Sequence, residues 1–191
     1  MTEVDLGLCN DLRFLNEDTF NCCYELKKVI FSKNLVEIKE RCFLETGLYE
    51  IVFPSTLKFI RSNAFFGNNN LEKIDLKNVK EIEDLCFCNC NNLKEVVLPE
   101  TLEQIGEKLF SKCYNLKKVN VDSNVLLPEN SFDRTSHNIT LLIDANKKKE
   151  YEKIFEERQN IVLQTKSIDY YLDKNKSFKE INNYYKEISE R

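Results

Sequence analysis

Val79-Lys80-Glu81-Ile82-Glu83-Asp84-Leu85-Cys86-Phe87-Cys88-Asn89-Cys90-Asn91-Asn92-Leu93-Lys94-Glu95-Val96-Val97-Leu98 is one copy of a unit that recurs along most of this chain. Its apolar frame is Val79, Ile82, Phe87, Leu93, Val96 and Leu98, and steps of 22 or 23 residues in either direction land on the same kinds of residue. The phenylalanine column reads Phe20, Phe43, Phe65, Phe87, Phe110, Phe132. A second column, Leu26, Leu48, Leu71, Leu93 and Leu116, opens a six-residue segment whose fourth and sixth positions are also apolar: Val29 and Phe31, Ile51 and Phe53, Ile74 and Leu76, Val96 and Leu98, Val119 and Val121. Alternation in, out, in is the period of a β-strand. A third set, three residues apart, precedes each phenylalanine and supplies the opposite wall: Leu12 and Leu15, Leu35 and Ile38, Leu57 and Ile60, Val79 and Ile82, Leu102 and Ile105.

A unit this short cannot bury its apolar wall alone, so successive units must stack, with their strands pairing in parallel. The whole unit, Leu-x-x-Ile-x-x-x-x-Phe-x-x-Cys-x-x-Leu-x-x-Val-x-Leu, resembles the BspA-like class of leucine-rich repeat, most closely at Leu102 to Leu116. The resemblance implies an α/β-type repeat solenoid with a parallel concave β-sheet and an irregular convex side, to which the sequence after Ala145 adds a helical C-terminal cap. Residues 1–144 are expected to form six to seven repeats and residues 145–191 the cap or tail. Val4, Leu6 and Leu8 are read as the first strand, with an exposed edge that invites self-association. Ile139 to Ile143 is read as a last strand, and Tyr151, Ile154 and Phe155 as the inner face of a helix over the open end. Beyond them Ile168, Tyr171 and Leu172, then Phe178, Ile181, Tyr184, Tyr185 and Ile188, suggest two more helices.

The 28 Lys and Arg against 32 Asp and Glu are interleaved, without the basic stripe that nucleic acid requires. No run of about 18 apolar residues offers a membrane span, and the first residues do not read as a secretory signal. The expected location is therefore the cytoplasm, with the nucleus as the alternative, and the eight cysteines are expected as thiols. Cys86, Cys88 and Cys90 could serve a soft metal ion, but Cys90 shares a column with Cys23 and Cys113, and Cys86 with Cys42, which favours a place in the core. The single histidine, His137, stands alone in a turn. With no phosphate loop or nucleophile–base pair either, the chain does not read as an enzyme, and no cofactor or metal is expected.

Function then falls to the strand surface, where a leucine-rich repeat usually binds. Its outward positions are Lys28 and Ile30, Glu50 and Val52, Lys73 and Asp75, Glu95 and Val97, Lys118 and Asn120. The first of each pair alternates in sign from rung to rung. This suits a self-neutralising ladder, whereas Ile30, Val52 and Val97 beside it suit protein contact. The resemblance implies a non-enzymatic scaffold that binds a partner protein on the concave face. Cell-surface adhesion or host recognition is the alternative. Lys28-Val29-Ile30-Phe31 is also similar to the basic-Val-x-Phe motif that docks regulators on protein phosphatase 1, which makes that phosphatase a candidate partner. The same frame demands apolar residues at Val29 and Phe31 for purely structural reasons.

Overall fold

The protein is described by a computed structural model over residues 1–135, 138–167 and 170–171. In chain order it forms β1 (Glu3–Asp5), β2 (Phe14–Leu15), β3 (Lys28–Ile30), β4 (Glu37–Ile38), β5 (Phe59–Ile60), β6 (Lys73–Asp75), β7 (Glu81–Ile82), β8 (Glu95–Leu98), β9 (Gln104–Ile105), β10 (Lys118–Val121), β11 (Ile139–Ile143), α1 (Lys148–Ile154) and β12 (Ile161–Thr165). Every strand pair is parallel, and the chain winds through about seven turns of a solenoid.

One wall carries the longer strands in the order β6-β8-β10-β11-β12, together with a separate pair, β1-β3. Its registers, Lys73↔Glu95 and Lys118↔Glu95, are those of the sequence columns. The opposite wall, expected to be irregular, carries a second parallel ladder, β2-β4-β5-β7-β9. Each of its strands has two residues, because Leu15, Ile38, Ile60, Ile82 and Ile105 turn inward while their predecessors face out.

Turns join the two walls. Each phenylalanine amide donates to the carbonyl just before the next phenylalanine, as from Phe43 to Ala64 (2.8 Å) and Phe65 to Cys86 (3.0 Å). Holding that geometry puts residues on either side of the ring in the left-handed region: Arg41 and Glu45 flank Phe43, and Leu85 and Asn89 flank Phe87, with φ between 52 and 61°. Such residues cost roughly 1–2 kcal/mol each when not glycine. The inter-rung bonds and the buried rings offset that cost.

The rings stack through the core from Phe20 to Phe132, 5.1 to 6.2 Å between centroids and 9 to 16° between planes. Phe155 follows Phe132 by 23 residues (155 − 132) and lies 5.8 Å from it, tilted by 48°. Tyr151, fully buried, stacks on Phe155 at 6.0 Å. Leu163 likewise pairs with Leu141, 22 residues earlier (163 − 141). The repeat phase thus crosses residues 144 and 145, where the division between solenoid and cap is expected, and helix α1 lies between two paired strands. Within the described residues this region holds a 3-10 turn (Ala145–Lys147), the seven-residue helix α1 and the strand β12.

At the other end Val4, not Leu6, pairs with Val29, and the Leu6 amide donates to Ile30 (2.8 Å). Leu8 is 91% exposed, which corrects its placement in the first strand. The reason is a longer turn: six residues separate Leu6 from Leu12, against four from Phe31 to Leu35, so constant spacing misplaces the strand by two positions. His137, Ile168, Leu172 and the stretch holding Phe178, Ile181, Tyr184, Tyr185 and Ile188 lie outside the described residues.

Candidate interaction face

The ten outward residues expected on the long-strand wall are placed there, but not in one environment. Lys28, Ile30, Glu50, Val52, Lys73 and Asp75 are exposed, Val52 by 72% and Ile30 by 38%. Glu95, Val97 and Lys118 are half-buried. Asn120 is buried at 7%, with Oδ1 unpartnered among the described residues, which corrects its assignment to the open surface. Its register partner Leu142 is buried as well, at 8%, so the outward side of the wall is covered at β10 and β11.

What fastens that end is a charged column absent from the sequence reading. Asp122, Asp144 and Lys166 follow one another at steps of 22 (144 − 122 and 166 − 144) at the ends of β10, β11 and β12. The Lys166 side chain, 1% exposed, reaches Asp122 at 2.8 Å and Asp144 at 2.9 Å, and donates to the Val121 carbonyl at 2.5 Å. The Tyr170 hydroxyl donates to Asp122 (2.6 Å) and that of Tyr171 to Asp144 (2.7 Å). Burial and the adjacent Asp122 carboxylate push the Tyr170 phenol up, so it stays a donor at neutral pH. The signal in the sequence was the 22-residue spacing of two acids and a lysine, each following a strand.

The expected charge ladder forms in part. Lys118 meets Glu95 at 3.4 Å, and Lys28 meets Glu3 of β1 at 3.3 Å. Lys73 and Glu50 make no ion pair among the described residues. The wall breaks at the same place. Residues 50–53 form no strand, and the last ladder bond before them runs from the Tyr49 amide to Lys27, at 3.4 Å. The rung left out on both sides, by β3 and by β6, is the one that ends in Phe53, next to the rung that ends in Phe31. Phe31 and Phe53 lie side by side there, 5.8 Å between centroids and tilted by 42°.

Val29 and Phe31 are 6% and 8% exposed, and Phe31 meets Phe43 edge-on at 5.9 Å. The basic-Val-x-Phe segment therefore spends its two anchors on the core. The cysteine column has a structural task as well. The thiols of Cys90 and Cys113 donate to the carbonyls of Phe65 (3.2 Å) and Phe87 (3.0 Å), one rung back. Where the column holds Asn68, its Nδ2 donates to Phe43 O at 2.7 Å, and Thr46 bonds its Oδ1. Burial pushes the Cys86, Cys90 and Cys113 thiols well up and that of Cys42 up to about 12, so at neutral pH they are the thiol donors that the carbonyl bonds require. On the opposite wall Arg61 bridges Glu37, Glu81 (2.9 Å) and Glu83 (3.0 Å) and lies over Phe59, tying three rungs together. No helix among the described residues is long and apolar enough to cross a membrane.

Residues 13–140 match the family described as BspA type leucine rich repeat region, in six copies. Sporulation-specific protein 22 of Saccharomyces cerevisiae is 26% identical over 121 residues, 62% of this chain. The chain spans only 25% of the length of that relative. Among solved structures, the T. pallidum leucine-rich-repeat protein superposes with a TM-score of 0.56 at 22% identity, over 80% of this chain and 68% of that one. A leucine-rich cell surface protein from Faecalibacterium prausnitzii covers 90% of this chain and 62% of its own at 17% identity, with a TM-score of 0.42, too loose for any argument.

Proposed function

Because this chain belongs to the BspA-type leucine-rich-repeat family, a repeat fold typically put to binding rather than catalysis, we propose that it is a non-enzymatic scaffold holding a partner protein on the long-strand wall, at the N-terminal half of its concave face. The observation that carries this reading is the contrast in cover along the wall. Ile30 and Val52 stand exposed beside Tyr49 (51% exposed), whereas Asn120 and Leu142 are buried. Apolar and aromatic side chains held open among charges suit a protein partner. Lys28, Glu50, Lys73 and Asp75 make up the polar surround, with Glu95, Val97 and Lys118 at its margin; Asn120 falls outside it.

Protein phosphatase 1 remains a candidate partner only through this exposed surface. Docking by Val29 and Phe31 would require the rung that buries them to open. The scaffold is assigned to the cytoplasm or nucleus, and labelling of intact cells would reassign it to adhesion. The decisive assay compares capture from lysate by the wild-type protein, by a wall variant carrying Glu50→Lys, Lys73→Glu and Glu95→Lys, and by a control with Glu103→Lys on the opposite side. Partners kept by the wild type and the control but lost by the wall variant are the expected result. Loss only in the control sinks the reading.

A further inference from the structure

The break in the wall is also a groove. Between β3 and residues 50–54 lies an open cavity of about 460 Å³, lined by the exposed Ile30 and Val52, by Phe31, Phe53 and Pro54 and, past the end of β3, by Lys33. At the other end Lys28 and Glu50 stand on neighbouring rungs, and Lys28 is already bound to Glu3 (3.3 Å). Lys33 is exposed and makes no ion pair among the described residues. The groove is therefore apolar in the middle, negative at one end, where Glu50 is left over once Lys28 is paired with Glu3, and positive at the other. Its volume suits one or two large side chains rather than a folded domain or a small cofactor fixed by many polar contacts.

We propose that this groove receives an extended peptide segment of the partner in which one or two large apolar side chains are followed by an acidic residue. The apolar side chains settle between Ile30 and Val52 over Phe53 and Pro54, and the carboxylate lies over Lys33. The rung that lines it carries backbone groups outside any ladder: among the described residues no backbone hydrogen bond joins Glu50, Ile51, Val52 or Phe53 to β3 or β6. This inference rests on the scaffold reading and narrows it to one place and one ligand chemistry.

Methyl NMR of the full chain, titrated with two synthetic peptides, tests it. One is acetyl-Gly-Ser-Leu-Phe-Asp-Glu-Ser-Gly-amide, and the other replaces the Asp-Glu pair by Lys-Lys. The acidic peptide should give saturable shifts of the Ile30 and Val52 methyls, with affinity at least about fivefold above that of the basic one. Lys33→Glu should reverse that preference, and Val52→Asp, at a position 72% exposed and so harmless to the fold, should abolish binding. Equal affinity for both peptides, shifts confined to other methyls, or no saturable shift overturns the proposal. If those methyls stay unmoved while the triple wall variant still loses its captured partner, the groove is wrong and the scaffold stands.

Discussion

From β6 to β12 the long-strand wall is one continuous ladder, closed at its far end by Lys166 among carboxylates and phenols; from β1 to residue 53 the same repeat yields a two-strand pair and an unpaired rung. Both halves stack the same phenylalanine column. The difference lies at the edges of the repeat, in the sixth strand position and the residue after the strand. At the sixth position the C-terminal half has Leu76, Leu98 and Val121 where the N-terminal half has Phe31 and Phe53, and Asp122, Asp144 and Lys166 follow its last three strands. A solenoid's stability and its binding surface can thus be set by different columns. One half uses the outward side for its own closure, and the other leaves it to a partner.

The sharpest way to break this comparison is Lys166→Ala. It leaves Asp122 and Asp144 facing each other without their cation, and one-sided removal of a buried charge costs about 3–5 kcal/mol. Denaturant unfolding should show that loss, while Val52→Ala, on the open half, should stay within about 0.5 kcal/mol of wild type. Comparable losses for the two would mean that the halves do not differ in the way described.

Asn68→Ala tests the thiol column next. The Phe43 carbonyl loses its donor and Thr46 its acceptor, at a cost of about 1–3 kcal/mol. Asn68→Cys should recover much of that, since cysteines do the same task at Cys90 and Cys113. A cysteine variant as unstable as the alanine one would show that the shared carbonyl bond is not what the column is for.

The columns that made the fold legible are those that every rung repeats, Phe43 to Phe132 and Leu26 to Leu116, because burial imposes the same residue each time. Phase was lost where a turn changed length. The two extra residues before Leu12 pushed Leu8 out, and α1 hid the step from Phe132 to Phe155 by replacing a two-residue strand with a helix. On the face, alternation marked ten residues as outward, of which six are exposed, three are half-buried and Asn120 is buried, its cover coming from the long-range closure of the wall rather than from its own rung. Lys166 was missed because a lysine after a strand reads as solvated until its column is followed back through two aspartates.

Phe53→Leu addresses the cause of the break. If two neighbouring phenylalanines hold the rungs apart, the smaller side chain, matching Leu76 and Leu98, lets residues 50–53 join β3. The amides of Ile51 and Phe53, on the side that already sends Tyr49 to Lys27, should then exchange more slowly. Net stability should change by about 1 kcal/mol or less, since lost packing and gained bonds oppose each other. Unchanged exchange at those two amides would remove the aromatic spacing as the explanation.

The smallest effect separates the charges. Glu95 and Lys118, 3.4 Å apart with side chains 39% and 45% exposed, form a pair of the kind worth about 0.2–1 kcal/mol, weakened by salt. Glu50 lies in the same column but has no ion-pair partner among the described residues, because its rung stands outside the ladder. Glu95→Gln should therefore lower stability slightly at low ionic strength, and the deficit should vanish near 1 M salt. Glu50→Gln should leave stability unchanged at either ionic strength. The double variant should equal the single Glu95 one, since no coupling connects the two sites. If Glu50→Gln proves as costly as Glu95→Gln, the ladder is continuous in solution and the open half closes. If it costs nothing yet weakens partner capture, the carboxylate that the fold leaves idle is one that the partner uses.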